Sequence, residues 1–118
     1  MERFNIDYDK ESDDLFLYAK EKSKGSIEIG DLVFDFDRSG KLVGIEVLNA
    51  SAFLNDCVAN GGRISKEFLS ELVKCEIEVK QRNNFLFIKI FLIGKKVTIP
   101  CHISTPAITE TSPALAYA

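Results

Sequence analysis

The chain has 118 residues, of which 46% are apolar and 28% charged; 15 Lys and Arg stand against 18 Asp and Glu, a net charge of −3. This balance excludes a disordered chain, which carries fewer apolar residues and more net charge. The longest apolar runs, Phe85 to Ile88 and Ile90 to Gly94, are far too short to cross a bilayer.

The length suits one domain able to bury roughly two thirds of its unfolded surface, so no disulfide or metal is required to hold it. Cys57, Cys75 and Cys101 are an odd set with no close pair and read as buried small hydrophobes. No basic stretch followed by an apolar one opens the sequence, so a cytoplasmic protein is expected. Residues 1–60 hold 7 basic and 13 acidic side chains, residues 61–118 hold 8 and 5, and the sign changes at Asn60-Gly61-Gly62. We read 1–103 as a single domain with sub-halves 1–60 and 61–103, followed by a tail, 104–118, that is loosely ordered or docked through Ile108 and Leu115.

In chain order, alternation predicts a first strand with Phe4, Ile6 and Tyr8 on one face. A polar turn over Asp9–Asp13 follows, then a second strand from Leu15 to Ala19. Ile27 to Asp37 is extended, with a bulge or break at Gly30-Asp31. Arg38-Ser39-Gly40-Lys41 turns the chain, and Leu42 to Leu48 returns, which completes a four-stranded antiparallel meander. Asn49 or Ser51 can cap a short helix running to about Ala59. Ser65 can cap a second, with Phe68, Leu69, Leu72 and Val73 on one stripe.

The last three strands are the most legible. A two-residue turn at Asn83-Asn84 pairs Glu78 with Lys89 and sets Cys75, Ile77 and Val79 beside Leu92, Ile90 and Ile88. A second tight turn at Gly94-Lys95 places Val97, Ile99, Cys101 and Ile103 on that same face. Phe85, Phe87 and Phe91 then fall on the opposite face with Glu76, Lys80, Arg82, Thr98 and His102. Aromatic rings with a charged rim are what a partner-binding surface carries, and these three are the interface candidates. The competing reading is that a helix or the tail covers them. The predicted fold class is therefore α+β: an N-terminal meander, two short helices and a C-terminal three-stranded meander.

Asp35-Phe36-Asp37-Arg38-Ser39-Gly40, with Glu46 at the twelfth position, matches the spacing of a calcium loop, whose oxygen ligands encircle a hard cation. Asp35, Asp37, Ser39 and Glu46 are the metal candidates. Such a loop needs a helix on each side, and both flanks here are strand-like, so a hairpin with Gly40 at a positive-φ position is the favoured reading. His102 has no sequence neighbour able to complete a triad or metal set, and no catalytic residue is named. Asp7, Asp9, Asp13 and Asp14 flank a turn and read as solvated hairpin ends. No phosphate loop, nucleophile elbow, CxxC or HExxH occurs. A pI near 5.2 does not favour nucleic-acid binding.

Gly30 to Ser51, through Asp35, Asp37, Gly40, Gly44-Ile45-Glu46 and Ala50-Ser51, resembles the core motif of the domain-of-unknown-function 2283 family of small prokaryotic proteins. Tyr8-Asp9 with Asp13 and Leu15 is similar to that family's opening strand pair, so the resemblance spans about residues 4–54. It implies strands followed by a helix, a recurrent Asp-rich hairpin, and an antitoxin-like regulatory role beside the product of a neighbouring gene. It implies no chemistry and no cofactor. A non-enzymatic, homo-oligomeric (homodimeric) interaction module is the expected function. The alternatives are a cation-binding module on the Asp35–Glu46 loop, and a small hydrolase or nuclease whose carboxylates converge on His102.

Overall fold

The computed structural model describes residues 1–58 and 62–106. Its elements are β1 (Glu2–Asp9), β2 (Asp14–Tyr18), β3 (Gly25–Ile29), β4 (Leu32–Phe36), β5 (Leu42–Val47), α1 (Ala50–Cys57), α2 (Lys66–Ser70), β6 (Lys74–Arg82), β7 (Phe85–Ile93) and β8 (Thr98–Pro106). The eight strands form one antiparallel sheet in the order β3-β4-β5-β2-β1-β6-β7-β8, curled into a half-barrel. This corrects the expectation of two separate meanders. The physical reason lies in β1, which divides its pairing: Glu2–Phe4 bond to Ile77–Cys75 of β6, and Asn5–Asp9 bond to Tyr18–Asp14 of β2. One strand thus belongs to both halves.

The N-terminal part also differs in strand count and order. Gly30, at φ 59, breaks the Ile27–Asp37 segment into β3 and β4, so there are five strands rather than four. β5 returns to pair with β2, which places β3 at the far edge. An extra residue, Val43, interrupts the β4–β5 ladder between the pairs Asp35–Gly44 and Phe36–Leu42. The bulge puts Leu42 and Val43 in succession out of solvent.

In the C-terminal part the register is as expected: Cys75, Ile77 and Val79 lie opposite Leu92, Ile90 and Ile88, and Glu78 lies opposite Lys89. Asn83 takes the positive φ, 56°, of the tight turn. The β7–β8 turn is longer than expected. It spans Gly94 to Val97, closed by the Gly94 N–H donating to the Val97 carbonyl at 2.9 Å. Val97 is therefore in the turn and exposed, not on the apolar face. β8 runs on to Pro106, three residues past the expected strand end. α1 ends at Cys57, short of the expected end near Ala59, because Val58 is already extended and bridges Cys101, while Asn60-Gly61 and the docking of Ile108 and Leu115 lie outside the described residues.

One face of the sheet is mostly apolar and faces inward; toward its edge the row Gln81–Leu86–Thr105 is partly polar, and Val79, expected on the buried face, is exposed. Leu15, Leu17, Phe34, Ile45, Val47, Ile88, Ile90 and Leu92 are fully buried on this inner face, and Ala50 and Leu54 of α1 with Leu69 of α2 close over them. Each such aliphatic side chain contributes roughly 1.5–3 kcal/mol by leaving water. α2 begins at Ser65, whose hydroxyl accepts the Phe68 N–H at 3.0 Å, as the sequence predicts. It ends at Ser70, so Val73 lies beyond it and is exposed rather than on its buried stripe.

Candidate functional site

The densest polar constellation is built on Asp13. The β1–β2 turn holds this residue at φ 60 and buries it, at 9% exposure. Its carboxylate accepts the Tyr8 hydroxyl at 2.6 Å, the Ser51 hydroxyl at 2.7 Å and the Ser51 N–H at 3.2 Å. Its backbone carbonyl accepts the Ala50 N–H at 2.8 Å. Asp13 is thus the cap of α1, supplied from 38 residues away. The expected local caps do not form: Asn49 occupies the cap position in the left-handed region with no side-chain bond. Nor is Asp13 a solvated hairpin end. Burial alone pushes its carboxyl up, but the bonds from Tyr8 and Ser51, with the Lys66 charge, outweigh burial and hold it below the ordinary carboxylate range. The same burial, reinforced by the carboxylate, pushes the Tyr8 phenol well above its usual value. A carboxylate held ionised by a phenol that stays protonated acts as a structural clamp. A second clamp lies nearby. The Asn55 side chain donates to the Ile64 carbonyl at 2.6 Å and accepts the Ile64 N–H at 2.8 Å, tying α1 to the segment before α2.

The Asp-rich segment is a hairpin turn. Asp37 Oδ1 accepts the Ser39 N–H at 2.9 Å, the Ser39 hydroxyl at 2.7 Å and the Lys41 N–H at 2.9 Å, while Gly40 sits at φ +87. These bonds, led by the Ser39 hydroxyl, hold the Asp37 carboxyl below the ordinary range. Asp35 points to the outer face, accepts the Ser26 hydroxyl, and lies against Gly44. A Cβ on Gly44 would stand 2.8 Å from its Oδ2, so any larger residue there must displace the Asp35 side chain. Glu46 is opposite Val33, not opposite Asp35 or Asp37. Among the described residues no group of three or more His, Cys, Asp and Glu side chains is placed to hold a metal ion.

His102 is exposed on β8, opposite Lys89. β8 and the Asp35 and Glu46 strands lie toward opposite ends of the strand order, so the structure does not bring these groups together. The three cysteines are free. Burial pushes the Cys75 and Cys101 thiols up to about 12, which leaves them protonated and inert. An open cleft of about 510 Å³ lies between the β4–β5 turn and β6, walled by Phe4, Phe36, Leu42 and Ile77. Lys41 at its rim is held by Glu2 at 3.3 Å and Glu21 at 3.5 Å.

The outer face of β6–β7–β8 carries the three candidate rings. Phe85 and Phe87 are 49% and 44% exposed, with centroids 6.2 Å apart, and Phe91 is half-buried beneath Lys89 Nζ at 5.9 Å. The register places Arg82 opposite Phe85 and Lys80 opposite Phe87.

A curled antiparallel sheet stapled by an aspartate at the first helix defines a class by its architecture. The family model for Protein of unknown function (DUF2283) matches residues 5–51, the segment from β1 to the Ser51 contact with Asp13. An uncharacterized protein of Methanocaldococcus jannaschii is 37% identical over 101 residues, covering 82% of this chain and 80% of the relative. The chain belongs to the DUF2283 family. No solved structure matches it. No helix among the described residues is long and apolar enough to cross a membrane.

Proposed function

We propose that the chain is a small non-enzymatic interaction module that self-associates, with the outer face of β6–β7–β8 as its docking surface. The observation that supports this reading is the exposure of Phe85 and Phe87 side by side, rimmed by Lys80 and Arg82. Two adjacent rings left in water cost hydrophobic free energy that a partner recovers, and aromatic anchors with a charged rim are typical of interfaces. The clamp on Asp13 and the turn on Asp37 are built from bonds internal to the chain, which favours a scaffold role for both. An antitoxin-like partner from a neighbouring gene is the finer form of the same reading and would use the same rings.

The test is the solution mass of Phe87→Asp by light scattering. The expected outcome is a wild-type mass above the 13.2 kDa of one chain and a variant at that mass with a nearly unchanged melting temperature. A variant that unfolds would make the rings internal core, and a wild type that stays monomeric at every concentration would overturn self-association.

A further inference from the structure

The outer face of the N-terminal half is a counterpart to the ring-bearing face: it too carries a partly exposed aromatic pair, with charges of the opposite sign beside it. Phe16 is 36% exposed on β2 and stacks on Tyr18 at 5.0 Å. Directly across the ladder it has Asp7 on one side and Glu46 on the other. Among the described residues neither carboxylate is in an ion pair, and neither are Arg82 and Lys89 beside the rings of the other half. The same asymmetry is written along the chain, with 13 acidic against 7 basic residues in 1–60 and 5 against 8 in 61–118.

Resting on the self-association reading above, we propose that the partner is a second copy, and that the acidic Phe16 face of one copy docks on the basic Phe85–Phe87 face of the other. Both faces look outward from one sheet, so a single chain cannot bring them together, whereas two copies can. Glu76 and Glu78 on the ring-bearing face are already ion-paired to Lys74 and Lys80. Stacking like on like would therefore set the unpaired Arg82 and Lys89 against one another, or the unpaired Asp7 and Glu46 against one another, and such juxtapositions are disfavoured. Pairing unlike faces matches charges and covers the exposed rings of both halves at once. Association of this kind weakens with salt, because exposed charges more than about 8 Å apart are screened at physiological ionic strength.

Sedimentation equilibrium on Glu46→Lys, Lys89→Glu and their equimolar mixture tests the pairing. The expected result is that each variant alone associates at least about tenfold more weakly than wild type while staying folded, Lys89→Glu with a small fall in melting temperature because it sets a carboxylate opposite Glu78, and that the mixture regains the wild-type mass. In the mixture the charge reversed on the altered face of one variant is opposite to the charge reversed on the altered face of the other, so recovery requires contact between unlike faces. If Glu46→Lys keeps the wild-type mass while Phe87→Asp is monomeric, the rings dock elsewhere and this pairing is overturned, although the self-association reading stands. If both single variants are monomeric and the mixture remains so, the pairing is likewise overturned. Should a reversal unfold the chain, Glu46→Gln and Lys89→Gln make the same comparison with a smaller loss, about fivefold expected, and an unchanged mass in both overturns the pairing.

Discussion

The two halves of the sheet are held together in different ways. In the N-terminal half, β2, β3 and β4 have five residues each, and their ends are tied by carboxylates: Asp13 to Tyr8 and Ser51, Asp35 to Ser26, Asp37 to its own turn. In the C-terminal half, three nine-residue strands pair along their full length, and no side-chain hydrogen bond joins them among the described residues. Their cohesion comes from the backbone ladder and an inner face that is apolar except for Gln81 and Thr105 at one end. Short strands offer few ladder bonds and little apolar area, so polar ties at turns carry more of the specification. Long alternating strands need no such ties.

That contrast gives an ordered set of outcomes. Ile90→Ala, at a fully buried centre of β7, should cost most, about 3–4 kcal/mol by urea unfolding, because a cavity opens where no polar tie compensates. Asp13→Ala should cost about 2–3 kcal/mol, since α1 loses its cap and the Tyr8 and Ser51 hydroxyls lose a buried acceptor. A cost within about 0.5 kcal/mol would show that the N-terminal half is held by its apolar face as well. The pH profile sharpens this comparison. The folded Asp13 carboxyl lies below its unfolded value of about 3.9, so its contribution is fully present above that value and is lost as pH falls through the folded one. The stability gap between wild type and Asp13→Asn should therefore be flat above about pH 5 and shrink in stronger acid. Gly44→Ala should cost least, about 1–2 kcal/mol, by forcing Asp35 off Ser26. Asp35→Ala in the Gly44→Ala background should recover part of that loss.

Legibility in the sequence follows the same division. The β6–β7 register was readable because Asn83-Asn84 and the Cys75 to Val79 alternation point independently to one face. The Asp-rich turn was readable as a hairpin because its flanks alternate as strands. What periodicity does not carry is contact between distant segments. Asp13 has the composition of any turn residue, and its capping partner, Ser51, belongs to a segment with a plausible cap of its own in Asn49. A signal existed: Asp13 and Ala50-Ser51 both carry the family resemblance, and the structure shows that they touch. The joining of the two halves through β1 was hidden for the same reason, since nothing in Glu2–Phe4 names Cys75–Ile77 as its partner.

That shared strand bears on how the chain reaches its native state. Hairpins within each half close loops of a few residues, but the β1–β6 seam closes a loop of about seventy, and loop-closure entropy makes it a late event in folding. Only Glu2, Arg3 and Phe4 form it, against nine paired positions between β6 and β7. The seam should accordingly exchange its amide hydrogens through a sub-global opening of lower free energy than that which frees the centre of β7. Val58 at the end of α1 also bridges Cys101 of β8, so opening of the seam alone leaves the halves joined there, and Phe4, otherwise sealed in the core at 3% exposure, is the interior side chain expected to meet water first.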